Sequence, residues 1–154
     1  MLTLEPMNEA EYAQFDATLW EDYAAERARN LRTTVEYERE KGQQQRTELL
    51  PDGLRTANHY FWNMTDSDAG VVGKLWAFVD TEKRHAYIYD IVVDVAHRRK
   101  GYARQALAAL DAFVRPLGIS HIGLNVFGDN PGAQSLYEQM GYYTVATMMQ
   151  KDVE

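Results

Sequence analysis

Val92-Val93-Asp94-Val95-Ala96-His97-Arg98-Arg99-Lys100-Gly101-Tyr102-Ala103 is the stretch on which the reading of this chain turns. An apolar strand, Ile88 to Val93, runs into a short basic turn that contains a glycine, and a helix-like pattern then begins. This layout suits an anionic, phosphate-bearing ligand. The N-terminus of a helix presents unsatisfied N–H groups and roughly half a positive charge. Arg98, Arg99, Lys100 and Arg104 add full charges at the same end, and Gly101 removes a side chain where backbone approaches ligand. A basic turn before a helix is often only a solvated cap, so the weight of the pattern depends on its surroundings.

Further along, Ile122, Leu124 and Val126 alternate with other residues and read as a short strand. Gly128-Asp129-Asn130-Pro131 breaks it. Asn130 suits an N-cap, and Pro131 suits the first helical position, where its missing N–H costs nothing. Ala133, Leu136, Tyr137 and Met140 then fall at helical spacing, and Gly141 ends the helix. A further strand is expected from Tyr142.

The two stretches together resemble the GNAT superfamily of N-acetyltransferases. Arg98-x-x-Gly101-x-Ala103 fits the family pattern Gln/Arg-x-x-Gly-x-Gly/Ala, and Asn130 followed by Leu136-Tyr137-x-x-x-Gly141-Tyr142 fits the later motif, with Tyr142 for the usual Phe. The likeness covers residues 70 to 147 well, and the first half only in its order of elements. It implies an α+β fold with a mixed, mostly antiparallel sheet of six to seven strands, splayed between the fourth and fifth, and about four helices. It also implies acetyl-CoA as cofactor. Backbone of Ile91, Val92 and Val93 would then bind pantetheine. Arg98, Arg99, Lys100, Gly101, Tyr102, Ala103 and Arg104 would hold the pyrophosphate. Asn130 and Ala133 would lie beside the pantetheine. Tyr137 would sit by the thioester sulfur and protonate the departing thiolate. A phenol titrates near that leaving group and can donate without being ionised at neutral pH. Without the neighbouring motif, Tyr137 would read as a core aromatic.

The general base is less plain. Asn125 stands where some members carry a Glu, and an amide cannot take a proton in that way. Asp90, among Tyr87, Ile88, Tyr89 and Ile91, is the nearest alternative, and burial there would raise its pKa. It could instead pair structurally or act as counter-ion to the substrate amine, or water could take the proton. Substrate contacts in the family come largely from the first two helices, which makes Trp20, Tyr23 and Glu26 candidates together with Asn125. Core packing is the competing reading for the aromatics. The acceptor is expected to be a primary amine of a small molecule or peptide.

Composition bounds the rest. The chain has 154 residues, 45% hydrophobic and 25% charged, which expects a single domain over 1–154. No cysteine is present, which excludes a disulfide frame, a thiol nucleophile and thiolate metal ligation. His59, His85, His97 and His121 form no close metal-like pair, and no metal is expected. No long apolar run or basic leader is read, so no membrane association and a cytoplasmic location are expected. A net charge of -7 argues against nucleic acid as partner. Residues 1–50 carry 11 acidic against 6 basic side chains, which would suit a cationic amine meeting an anionic cofactor.

Two readings compete with the enzyme. One is a non-catalytic acyl-CoA-binding or sensing module, suggested by Asn125. The other is an unrelated phosphate- or nucleotide-binding protein, disfavoured because neither a Gly-x-x-x-x-Gly-Lys-Ser/Thr loop nor a Gly-x-Gly-x-x-Gly stretch occurs. The oligomeric state stays open, a homodimer being common in the family.

The expected order is a strand Leu2–Leu4, a helix Glu9–Arg29 capped by Asn8 with Glu11, and a helix Thr33–Lys41. Strands follow at His59–Met64, Val71–Val79 and Ala86–Asp94. The major helix spans Arg98–Leu117, and the strand–helix–strand unit above closes the chain.

Overall fold

The computed structural model describes residues 1–154. Its elements run β1 (Leu2–Pro6), α1 (Glu9–Leu31), α2 (Val35–Leu49), β2 (His59–Asp66), β3 (Gly70–Asp80), β4 (His85–Val93), α3 (Tyr102–Val114), β5 (His121–Leu124) and α4 (Pro131–Gln139), with three single-turn 3-10 segments between them. Asn8 caps α1 through a reciprocal box. Its Oδ1 accepts from the Glu11 amide at 2.8 Å, and the Asn8 amide donates to Glu11 Oε1 at 2.9 Å.

The sheet is ordered β1-β2-β3-β4-β5. The first four strands pair antiparallel in sequence, and β5 joins parallel to β4. Strand alternation sends side chains to two apolar layers. Leu75, Ala77, Val79, Ala86 and Ile88 meet Ala106, Leu107, Leu110 and Val114 of α3 on one face. Phe61 and Trp76 meet Tyr12, Phe15 and Trp20 of α1 on the other.

Helix α2 is polar along most of its length and is held to α1 by ion pairs. Buried Glu38 accepts from Arg27 Nε at 2.9 Å and from Thr33 Oγ1 at 3.0 Å. Arg46 grips Asp16 with two guanidinium nitrogens, at 2.8 and 2.5 Å. A paired, hydrogen-bonded charge tolerates burial that a lone one does not. No helix is long and apolar enough to cross a membrane.

The mixed sheet and four helices agree with the sequence reading, but the strand count does not. There are five strands rather than six or seven. The strand expected from Tyr142 is absent, and residues 142–154 carry no helix or strand. Their composition favours strand, but a strand exists only with a ladder partner. Helix α2 continues past Lys41 through Gln43-Gln44-Gln45, a stretch whose sequence allowed either helix or loop, and ends at Leu49. Helix α3 begins at Tyr102 rather than Arg98, because Arg99 and Gly101 take positive φ values of 62° and 81° that interrupt helical backbone.

Candidate active site

Parallel pairing of β5 with β4 runs from His85↔His121 to Ile88↔Leu124 and stops. β4 continues through Tyr89–Val93 with only β3 beside it. The backbone groups of Ile91 and Val93, which alternate with those of Val92 on the β3 side, are therefore left without a strand partner along a V-shaped gap, and the expected contact through Val92 backbone is corrected accordingly. An extended chain can hydrogen-bond to such an edge as a strand would.

The register within β4 changes at the mouth of this gap. Ala77 pairs with Ile88 and Trp76 with Asp90, so Tyr89 is an extra, bulged residue. Ile88, Ile91 and Val93 pack toward α3, while Tyr89 stacks on Trp76 with ring centroids 4.6 Å apart. Asp90, paired with Trp76, lies on the α1 side and is partly buried. Its carboxyl makes no hydrogen bond or ion pair within the chain. Burial, and then the charges of Glu26 and Asp22, push its pKa up to about 7.

The open edge of β4 leads straight into the basic turn. Arg98 folds back, its Nε donating to Val93 O at 3.0 Å. Gly101 is the N-cap of α3 and offers no side-chain acceptor, so the first amides of α3, from Tyr102 to Arg104, stay open. A Cβ on Gly101 would meet nothing within 4 Å, so the residue is required by its φ of 81° rather than by lack of room. The Arg99 and Lys100 side chains are exposed and form no ion pair within the chain. Arg104 is committed otherwise. It donates to Gln139 Oε1 at 2.5 Å and so ties α3 to α4.

Helix α4 forms the other wall. Asn130 caps it, Oδ1 accepting from the Ala133 amide at 3.2 Å. Tyr137 is half-buried, 5.7 Å from the ring of Tyr142. Its pKa is raised by burial, then by Asp90 and Glu26, so the phenol stays protonated. Asn125 is exposed one residue beyond β5.

Helix α1 supplies the third side. Arg29 Nε donates to Asp129 Oδ2 at 2.5 Å and fixes the helix against the turn before α4. One turn earlier on that face stands Glu26, whose pKa is raised by burial and by Asp129 against the opposing pull of Arg29. Tyr23 receives Arg27 Nη1 at 3.4 Å and lines a shallow hollow between α1 and α2. Trp20 is a correction to the expected substrate contacts. It is 6% exposed, donates through Nε1 to Asp16 and packs on Trp76, so it belongs to the core.

The sequence reading missed Asp22, Arg29 and the Tyr89 bulge. Asp22, Glu26 and Asn30 recur every four residues, which puts the first on the same helix face. The Arg29–Asp129 pair and the bulge have no local sequence signal.

Comparison with known proteins agrees with this geometry. The chain matches the sequence model of the Acetyltransferase (GNAT) family over residues 15–142. It is 36% identical over 152 residues to the uncharacterized N-acetyltransferase YycN of Bacillus subtilis (strain 168), covering 97% of each chain. It is 34% identical over 153 residues to the uncharacterized N-acetyltransferase YdgE of the same organism, covering 98% of each. The crystal structure of Bacillus subtilis YycN superposes with a TM-score of 0.94 at 35% identity, over 100% of this chain and 99% of that one.

Proposed function

We propose that this chain, which belongs to the GNAT family and is an N-acetyltransferase, moves the acetyl group of acetyl-CoA to a primary amine of a small molecule or peptide by direct attack in a ternary complex. The observation that carries the reading is the meeting of three features at one gap. They are the open edge of β4, the uncapped start of α3 at its end, and two part-buried ionisable groups, Asp90 on β4 and Tyr137 on α4, the charge of Asp90 helping to raise the Tyr137 pKa.

The residues present fit the cofactor. The open amides at Tyr102, Ala103 and Arg104, with Arg99 and Lys100 beside them, suit a pyrophosphate. The Ile91 backbone and the Val93 amide, which have no strand partner on the side away from β3, suit a pantetheine arm in extended form. Asn130, which caps α4 by accepting from the Ala133 amide, stands at the start of the helix that faces it. When bound, acetyl-CoA supplies an activated acetyl group and a thiol as leaving group.

Asp90 takes the proton from the incoming ammonium, making the amine a nucleophile. A carboxyl raised to about 7 is ionised in part near neutrality and is a stronger base than an ordinary Asp. Tyr137 gives its phenolic proton to the sulfur as the carbon–sulfur bond breaks. Backbone N–H groups of the bulged strand steady negative charge on the carbonyl oxygen. Glu26 and Asp22, with Tyr23 beside them, draw a cationic amine toward Asp90.

The test is kinetic. Tyr137→Phe keeps the ring and removes the proton, and is expected to lower kcat about 10²-fold or more with little change in the KM for acetyl-CoA. An unchanged kcat removes Tyr137 from the mechanism.

A further inference from the structure

Helix α1 places Asp22, Glu26 and Arg29 on one face, at spacings of four and three residues. An arginine three residues after a glutamate pairs with it readily on a helix surface. Such a pair would neutralise Glu26, a carboxylate that looks onto the acceptor side of the gap. The structure takes another course. No hydrogen bond or ion pair joins Arg29 to Glu26. Instead Arg29 Nε donates to Asp129 Oδ2 at 2.5 Å, in the turn before α4.

The remaining surroundings leave Glu26 equally unpaired. Arg27, the other arginine of α1, is taken by buried Glu38 at 2.9 Å and by the Tyr23 hydroxyl at 3.4 Å. The other ionisable groups in electrostatic reach of Glu26 are Asp22 on its own helix, Asp90 on β4 and Tyr137 on α4, and none of them is a cation. Asp129 itself is fixed in place. The Asn130 amide donates to Phe127 O at 3.1 Å and closes the turn, and Asn130 then caps α4. A half-buried carboxylate without a cation is costly to keep, and at a functional gap it marks where a cation is to arrive.

We infer that Asp129 is a positioning residue for the acceptor: by drawing Arg29 to the turn before α4, it keeps the guanidinium off Glu26 and leaves that carboxylate free to receive the ammonium of a cationic amine. The inference rests on the acceptor reading proposed above, which gives Glu26 to that amine. Asp129 touches neither the amine nor acetyl-CoA in this role and acts through Arg29 alone. The role differs in its consequences from a brace between α1 and α4. If the ion pair only braced the fold, losing either end would do equal harm and losing both would be no better. If Asp129 occupies Arg29, its loss does harm only while Arg29 remains to turn on Glu26.

Steady-state kinetics on the full chain test this, with acetyl-CoA and whichever of putrescine, lysine and glycyl-lysine the parent acetylates fastest. Asp129→Asn is expected to raise the KM for the amine about 5-fold, with kcat and the KM for acetyl-CoA little changed. Arg29→Gln alone should leave the amine KM at or below that of the parent. Adding Arg29→Gln to Asp129→Asn should bring the amine KM back toward the parent value, and Asp129→Glu, which keeps the charge, should hold it there. A second measurement needs no turnover. In side-chain carboxyl NMR, with Glu26 assigned by its loss in Glu26→Gln, removing Arg29 is expected to raise the Glu26 titration midpoint more in the Asp129→Asn background than in the parent. If the parent acetylates no amine, the functional reading fails, and this titration still decides the inference. Equal shifts in the two backgrounds, an amine KM unmoved by Asp129→Asn, or a double variant as impaired as Asp129→Asn alone overturns it.

Discussion

On the proposed mechanism, stability and activity pull in opposite directions at Asp90. Its carboxyl titrates near 7 in the folded chain against an ordinary value near 4. Between those values the folded state binds more protons than the unfolded one, so stability falls as pH rises through the window. Asp90→Asn cannot ionise and is expected to raise Tm over the parent at pH 8, with little difference at pH 4. The rate should move the other way. Activity of the parent is expected to rise through pH 7 as the base ionises, and Asp90→Asn should be slow with that rise gone. A variant as active as the parent at pH 8 would remove Asp90 as base. His59 shows the opposite sign. Burial lowers its pKa to about 4, and its Nδ1 accepts from Trp76 Nε1 at 2.9 Å. Here the unfolded state binds the extra proton, so stability is lost as pH falls from about 6.5 toward 4. His59→Gln, which cannot protonate, should flatten part of that loss in thermal melts across the range.

At the level of elements, the site is a consequence of how β4 meets its neighbours. Gly73 lets β3 lie close to it. A Cβ there would stand 2.3 Å from Val92 O and 2.9 Å from Met64 Sδ. Gly73→Ala is expected to cost about 1–3 kcal/mol or more in denaturant unfolding, because backbone has to move apart. Helix α4 rests on its cap, and Asn130→Ala should cost about 1 kcal/mol, with Asn130→Asp recovering most of it. These elements also mark what could be read in advance. The turn at Arg98 to Gly101, the α1 cap and the Asn130–Pro131 start of α4 are local in sequence, and each was legible from a few adjacent residues. The bulge at Tyr89 was not, because it arises from register against β3. The core position of Trp20 was one of two readings the sequence allowed, since a helical aromatic reads alike whether it faces a pocket or Trp76, and the structure settles it for the core. The last strand failed for a related reason: the composition after Tyr142 is that of a strand, but pairing depends on which edge is within reach.

Over the whole molecule, charge is arranged by end. The acidic face of α1, with Asp22 and Glu26, looks onto one side of the gap, and the Arg98 to Arg104 turn closes its far end. A cationic acceptor and an anionic donor would each be drawn to the complementary end, an attraction that added salt screens. Raising ionic strength is therefore expected to lower kcat/KM for a charged amine more than kcat. The most direct test of the account is thiol release from acetyl-CoA against a panel of primary amines: polyamines, aminoglycosides, amino acids and short peptides with free N-termini. The account predicts amine-dependent release with at least one class, together with an acetylated product, and its sharp reduction in Tyr137→Phe. Release at the same rate with and without amine, or no release while acetyl-CoA is bound, would contradict it.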